Sequence, residues 1–242
     1  MRFFLTLAVM LAASVAMAGQ AVVYQSAGKD YEGYYAPVKG APLVLIIHDW
    51  DGLTDYEVKR ADMLNELGFS AFALDMYGKG VRPTEIAENK RLTAELYNDR
   101  EKMRRLLNAG VAAAKEQGAD VSNAVMIGYC FGGAVALEYA RSGEPLKAFI
   151  PFHGGLSTPD GQDYSKTNGE VVVFHGTADK AVSMAEFAAL AVELEQAGIK
   201  HEMHTYSGAP HAFTVFGSPR YHEEADKKSW SRFVEYINTK LK

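Results

Sequence analysis

The sequence predicts an α/β fold, with one mostly parallel central sheet and helices on both of its faces. Three observations carry this reading. Apolar runs of strand length alternate along the chain with stretches of helical periodicity. The runs Leu43–Ile47, Ala124–Ile127 and Val171–Phe174 are almost continuously apolar, as strands covered on both faces are. The third of these observations is a short turn, Gly128-Tyr129-Cys130-Phe131-Gly132-Gly133, that joins an apolar run directly to a good helix former, Ala134–Ala140.

Taken in order, residues 21–25 and 31–35 read as an opening hairpin. A buried strand at 43–47 precedes a helix over 55–67, and a second strand lies at 70–74. A long amphipathic helix is expected from about Thr84 to Lys115, with Leu92, Leu96, Met103, Leu107 and Val111 on one face. After the Cys130 turn and its helix come strands at 147–151 and 171–174, a helix over 183–197, a strand at 201–206 and a terminal helix over about 227–241. Residues 19–242 make up one domain's worth of α/β chain, with no repeat, linker or low-complexity tract.

Ahead of that domain, Met1–Ala18 has the pattern of a cleavable signal peptide. Arg2 supplies the charged start, an apolar run follows from Phe3 to Val15, and Ala16-Met17-Ala18 is a small-x-small cleavage site. The apolar run is short for a membrane span of about 20 residues. Cleavage after Ala18 and a periplasmic or secreted destination, with no stable membrane span afterwards, are the expectation. Loss of Arg2 takes the formal net charge from −5 to −6. That mild acidity argues against nucleic acid or an anionic membrane surface as partner. The chain has a single cysteine, so Cys130 forms no internal disulfide and is a free thiol in an oxidising compartment.

A strand, a sharp turn and a helix, with a nucleophile between small residues, is the nucleophile-elbow pattern. Side chains at Gly128 and Gly132 would collide with neighbouring backbone in so tight a turn. The elbow puts Cys130 at a helix N-terminus, which lowers a thiol's pKa. The Phe131 N–H then faces the place where a carbonyl oxygen gains charge. A lone cysteine outside such a pattern reads as one more small buried residue.

Other reactive side chains fall just after predicted strands, where sites form in parallel sheets. His175-Gly176-Thr177-Ala178-Asp179 follows one strand, Ser207–Phe213 with His211 follows another, and His48-Asp49-Trp50-Asp51-Gly52 follows a third. Nucleophile, acid and base in that chain order match the hydrolase arrangement of Ser, Asp and His. His211 would exchange a proton with Cys130, and Asp179 would fix the imidazole tautomer. Taken singly, Asp179 reads as a turn residue or helix cap and His211 as a surface residue.

The Gly-Tyr-Cys-Phe-Gly-Gly elbow, His-Gly-x-x-Asp and Pro-His-Ala-Phe together resemble the dienelactone hydrolase (carboxymethylenebutenolidase) family of cysteine α/β-hydrolases, over nearly the whole of residues 19–242. The resemblance implies an α/β-hydrolase fold and a catalytic Cys130, Asp179, His211 triad. It also implies an oxyanion hole formed by the backbone N–H groups of Trp50 and Phe131. The family places a glutamate against the resting thiol, where this chain has the shorter Asp49, and the resemblance implies a catalytic part for Asp49 beside His211 in forming the thiolate. Read by itself, Asp49 is an Asx-type turn residue organising His48–Gly52. Two arginines hold the substrate carboxylate in the family. Lys79 stands in place of one and Val215 in place of the other, and Lys79 lacks the bidentate fork of arginine. Hydrolysis of an ester or lactone is therefore the firmer implication, and dienelactone itself the weaker one.

Trp50, Tyr77, Phe152 and Phe213 are candidates to line a partly apolar substrate pocket, with Tyr77, Phe213 and Lys79 assigned to substrate binding. His48, Asp49, His153 and His175 invite a metal reading, but no short-spaced zinc-type ligand pair supports it. The expected mechanism is acyl transfer through a thioester, with a small-molecule ester or lactone as substrate, no metal and no cofactor. Two other readings stay open: a non-catalytic exported binding module on a hydrolase scaffold, and a thioesterase or peptidase-like acyl hydrolase.

Overall fold

The computed structural model describes residues 19–242, and the segment read as a signal peptide, Met1–Ala18, lies outside the described residues. An eight-stranded sheet runs through it in the order β1-β2-β4-β3-β5-β6-β7-β8. The strands are β1 (Gln20–Ser26), β2 (Lys29–Ala36), β3 (Pro42–Ile47), β4 (Ser70–Leu74), β5 (Asp120–Tyr129), β6 (Ala148–Phe152), β7 (Glu170–Gly176) and β8 (His201–Tyr206). From β4 to β8 every pairing is parallel, while β1 and β2 add an antiparallel edge. The hairpin between β1 and β2 closes through Ala27 and Gly28, both at positive φ (49° and 76°). Two central residues of that kind match the twist of the flanking strands.

Period-two alternation divides the core into layers. Leu43, Leu45 and Ile47 of β3 face helices α2 (Ile86–Asn98), α3 (Arg100–Glu116) and α4 (Phe131–Arg141), meeting Leu96, Met103, Leu107 and Val135. Val44 and Ile46 face the other way, toward Leu64 of α1 (Asp55–Glu66) and Phe233 and Ile237 of α6 (Glu223–Leu241). Val171 and Val173 of β7 pack with Leu137 and with Leu190 and Leu194 of α5 (Met184–Gln196). Each such fully buried aliphatic side chain contributes about 1.5–3 kcal/mol relative to exposure. Among the described residues no helix is long and apolar enough to cross a membrane.

Two helix expectations need correction. The helix expected from Thr84 to Lys115 is broken at Asp99 (φ −124°, ψ 80°), whose carboxylate caps α3 by accepting the Lys102 N–H at 2.8 Å. A short acidic side chain that satisfies free N–H groups competes with continued helix, and the apolar stripe runs on across the break without revealing it. The last helix begins at Glu223, about one turn earlier than expected, with Glu223, Glu224 and Asp226 in its first turn facing the positive end of the helix dipole.

Candidate active site

Cys130 sits between the end of β5 and the start of α4 at φ 50°, ψ −111°. This conformation is costly for a residue with a Cβ, and the surrounding backbone enforces it. A Cβ on Gly128 would overlap the carbonyl oxygen of Gly132, and one on Gly132 would overlap those of Ile47 and His48. Both flanking glycines are therefore obligatory, as the elbow pattern requires.

The three side chains picked out by chain order converge at the carboxyl ends of β5, β7 and β8. His211 Nε2 lies 3.1 Å from Cys130 Sγ, and His211 Nδ1 lies 2.8 Å from Asp179 Oδ2. Asp179 cannot donate as a carboxylate, so Nδ1 carries the proton and Nε2 accepts from the thiol. Asp179 Oδ1 takes the N–H groups of Ala181 and Val182 at 2.8 and 2.9 Å. Burial alone would raise the Asp179 pKa, but the His211 bond and these amides outweigh it and hold the carboxyl below its ordinary value.

The thiol departs from expectation. Cys130 is partly exposed as a residue, yet its sulfur is enclosed, and burial followed by the charge of Asp49 pushes its pKa up to about 12. The Phe131 N–H lies against the sulfur and pulls the other way, but it is outweighed. Burial thus favours the neutral thiol, against the pull of the helix N-terminus.

Asp49 is buried in the loop after β3, where its Oδ1 accepts the Asp51 N–H at 3.1 Å. That is the Asx-type turn, and no hydrogen bond joins Asp49 to Cys130 among the described contacts. Burial, then the contact with Asp51 and the charge of Glu57, raises the Asp49 pKa well above the carboxylate range. His48 shapes the same loop: its Nδ1–H donates to the Asp49 carbonyl at 2.6 Å, and its Nε2 accepts the Met76 N–H at 3.1 Å. The Asp49 carbonyl that accepts from His48 shares its peptide with the Trp50 N–H, and the next carbonyl, that of Trp50, accepts from the Tyr77 hydroxyl at 3.2 Å.

The candidates for substrate binding divide. Tyr77 is wedged between His48 and Phe131, with ring centroids 4.7 and 5.8 Å away, and forms a wall near the thiol. Lys79 is half-exposed and pairs with Glu32 at 3.5 Å, so its charge is spent on the β2 edge. Phe213 is fully buried against His153 and Tyr206, and Phe152 is stacked on Phe174, so both pack in the core and not at the expected substrate surface. Of these aromatics only Phe152 lies on a strand; Tyr77 and Phe213 lie in the loops after β4 and β8, so loop packing decides what each ring meets.

Sequence reasoning missed several neighbours of the thiol. Tyr97 of α2 packs edge-on against Phe131 at 5.5 Å, and burial, then proximity to Cys130, raises its hydroxyl's pKa. Arg220, exposed in the loop before α6, is the cation whose charge reaches both Cys130 and His153. Among the described residues no carboxylate lies within ion-pair distance of its guanidinium. Its position five residues beyond Val215 gave no signal in the spacing. A cleft beside the site is lined by Trp50, Asp51, Thr54, Arg82 and Ile86. Among the described residues no three His, Cys, Asp or Glu side chains are gathered to hold a metal ion.

Comparison with known proteins identifies the family and agrees with the fold. The chain is 30% identical over 234 residues to an Aquifex aeolicus protein named "Putative carboxymethylenebutenolidase", covering 93% of this chain and all of that one. A Salmonella typhimurium protein of the same name is 25% identical, over 88% of this chain and 84% of its own. The crystal structure of a dienelactone hydrolase-like promiscuous phosphotriesterase from metagenomic libraries superposes with a TM-score of 0.86 at 30% identity, covering 94% of this chain and all of that one. The model of the dienelactone hydrolase family matches residues 31–241, and the chain belongs to that family of ester- and lactone-cleaving hydrolases.

Proposed function

We propose that this protein hydrolyses a carboxylic ester or lactone through a thioester formed on Cys130, with His211 as general base and acid and Asp179 orienting it. The observation that carries the reading is the continuous chain from Cys130 Sγ to His211 Nε2 at 3.1 Å and from His211 Nδ1 to Asp179 at 2.8 Å. Because the resting thiol is neutral, proton transfer accompanies attack. As sulfur bonds to the carbonyl carbon, the thiol proton passes to His211 Nε2 and the carbonyl π electrons move onto oxygen.

That oxyanion would be met by the Phe131 and Trp50 N–H groups, a kind of donor worth about 3 kcal/mol each. Collapse expels the alkoxide, which takes the proton from His211 and leaves the thioester. Water then attacks the thioester while His211 removes its proton. The second collapse releases the acid and returns the proton to sulfur. Asp179 stabilises the imidazolium at both stages without itself taking the proton.

Arg220 is the cation that would attract an acidic group on the substrate, the part that the family resemblance implied for Lys79. In this reading the leader at Met1–Ala18 delivers the enzyme to the periplasm or the medium, which sequencing the N-terminus of the exported protein checks. The central test measures hydrolysis of activated esters and lactones, neutral and carboxylate-bearing, by Cys130→Ala and Lys79→Ala. Cys130→Ala is expected to lose activity by a factor of about 10³ or more. Lys79→Ala should stay within about twofold, as expected for a surface ion pair. Full activity in Cys130→Ala ends the proposal.

A further inference from the structure

Beyond the triad, one buried histidine touches both halves of the site. We propose that His153 is a positioning residue, its two ring nitrogens fixing the turn that carries Cys130 relative to the loop that carries His211. The proposal rests on the reading of Cys130 as nucleophile.

His153 is the residue immediately after β6. The sheet order puts β6 between β5, which ends at the nucleophile, and β7, which leads to Asp179. Its backbone is at φ 39°, a region a β-carbon disfavours, and its N–H is held by the Phe174 carbonyl at 2.8 Å. Strain of this kind persists only where surrounding contacts over-determine it, and it is concentrated at functional sites. Here it turns a fully buried imidazole back under the elbow.

Each ring nitrogen has a specific partner. Nδ1 accepts the backbone N–H of Cys130 at 3.2 Å, a donor shared with the Phe152 carbonyl at 3.1 Å. Nε2 therefore carries the proton and donates to Thr214 Oγ1 at 2.8 Å. Thr214 lies three residues after His211, beyond Ala212 at φ 61°. The two imidazoles also meet edge-on, with centroids 5.6 Å apart. Burial, reinforced by the charges of His211 and Arg60, holds the His153 pKa well below its ordinary value, so the neutral tautomer with its acceptor and donor is the persistent state.

Thr214 is anchored in turn. Its hydroxyl shares a hydrogen bond with Tyr56 at 2.6 Å, and its carbonyl accepts from Arg60 at 3.0 Å. Arg60 is fully buried and paired with Asp226, which also accepts the Tyr221 hydroxyl at 3.1 Å. The base-bearing loop is thus tied to α1 and α6, and His153 is the link from that frame to the nucleophile. A plain core histidine would need neither the strained backbone nor an acceptor aimed at the nucleophile's own N–H.

The test compares four variants with the wild type by kcat and KM on an activated ester, each checked for folding by circular dichroism. His153→Phe keeps a ring but loses both bonds, and is expected to lower kcat about 30-fold or more with KM within about threefold, since a misplacement near 1 Å costs about 10²-fold. His153→Asn retains an acceptor where Nδ1 stands and tolerates positive φ, so it should recover much of that loss. Thr214→Val removes only the hydroxyl and should lower kcat several-fold. Combining His153→Phe with Thr214→Val should be little worse than His153→Phe alone, because both break one connection.

A folded His153→Phe with wild-type kcat, or His153→Asn no better than His153→Phe, overturns the proposal. If His153→Phe does not fold, wild-type kcat in Thr214→Val overturns it. Cys130→Ala separates the two levels: full activity there removes the parent reading. An inactive Cys130→Ala beside unimpaired His153 variants removes only this inference.

Discussion

The state of the Cys130 thiol yields a quantitative expectation opposite in sign to the one its elbow position suggests. An ordinary thiol ionises near 9.0, whereas burial and Asp49 push this one up to about 12. Three units reduce the thiolate fraction at neutral pH by about 10³ relative to an ordinary thiol. A more basic thiolate is intrinsically more nucleophilic, and a Brønsted slope of about 0.4–0.5 returns roughly 15- to 30-fold of that. Iodoacetamide should therefore alkylate the resting protein about 30- to 70-fold more slowly than a small free thiol at pH 7, on the same two scales. With a single cysteine in the chain, every alkylated molecule reports this residue, and mass spectrometry across pH 6–10 gives the profile directly. Asp49→Asn removes the second-largest cause and should move the thiol pKa down and the labelling rate up. An inflection below pH 9, or labelling faster than a free thiol at pH 6–7, would refute the reasoning. Slow labelling is thus compatible with a catalytic thiol; loss of ester hydrolysis in Cys130→Ala is the result that separates an enzyme from a non-catalytic module.

Three further outcomes follow from the geometry. Asp179→Asn should leave the fold intact but lower kcat by about 10³–10⁴, because an amide facing Nδ1 favours the wrong tautomer; steady-state kinetics on an activated ester checks it. Gly132→Ala forces a β-carbon onto the carbonyl oxygens of Ile47 and His48, which are sheet and loop backbone with little room to yield, and should cost about 3 kcal/mol or more by urea unfolding. Burial raises the Glu57 pKa from 4.5 to about 7, so the folded state holds a proton that the unfolded state has released between those values. Stability from this group is present below pH 4.5 and lost as pH rises through about 7, so Glu57→Gln should flatten the fall in melting temperature between pH 5 and 8.

What was legible in the sequence had local causes. The strands β3, β5 and β7 show as apolar runs because both of their faces are covered, and the elbow shows because a turn that tight admits only small residues beside its centre. The His175–Asp179 and Pro210–Phe213 segments could be ordered from the chain alone. Asp99 was not legible as a break, since the stripe from Leu92 to Leu107 keeps its period across it. Nor was the fate of Lys79 or Phe213: one spends its charge on Glu32 and the other faces the core, and both depend on packing between distant segments. His153 stood out in the sequence, but as a metal-ligand candidate. Its real partners, Cys130 and Thr214, lie 23 and 61 residues away, beyond the reach of any motif.

The distribution of backbone strain bears on how such a site is kept. Four non-glycine residues have positive φ among those described: Ala27, Cys130, His153 and Ala212. Ala27 belongs to the hairpin turn, where that conformation is ordinary. The other three lie in the loops after β5, β6 and β8, and hydrogen bonds or direct succession link each to the Cys130–His211 pair. Strain of about 1–3 kcal/mol per residue is a sizeable share of a domain's net stability. It is sustainable here because β6 and the end of β5 are fully buried and the Arg60–Asp226 pair braces the His211 loop, Arg60 also donating to the Thr214 carbonyl. Relaxing any one of the three would move Cys130, His211 or a group that supports them, so the rigidity of the sheet ends and the alignment of sulfur with imidazole have the same physical origin.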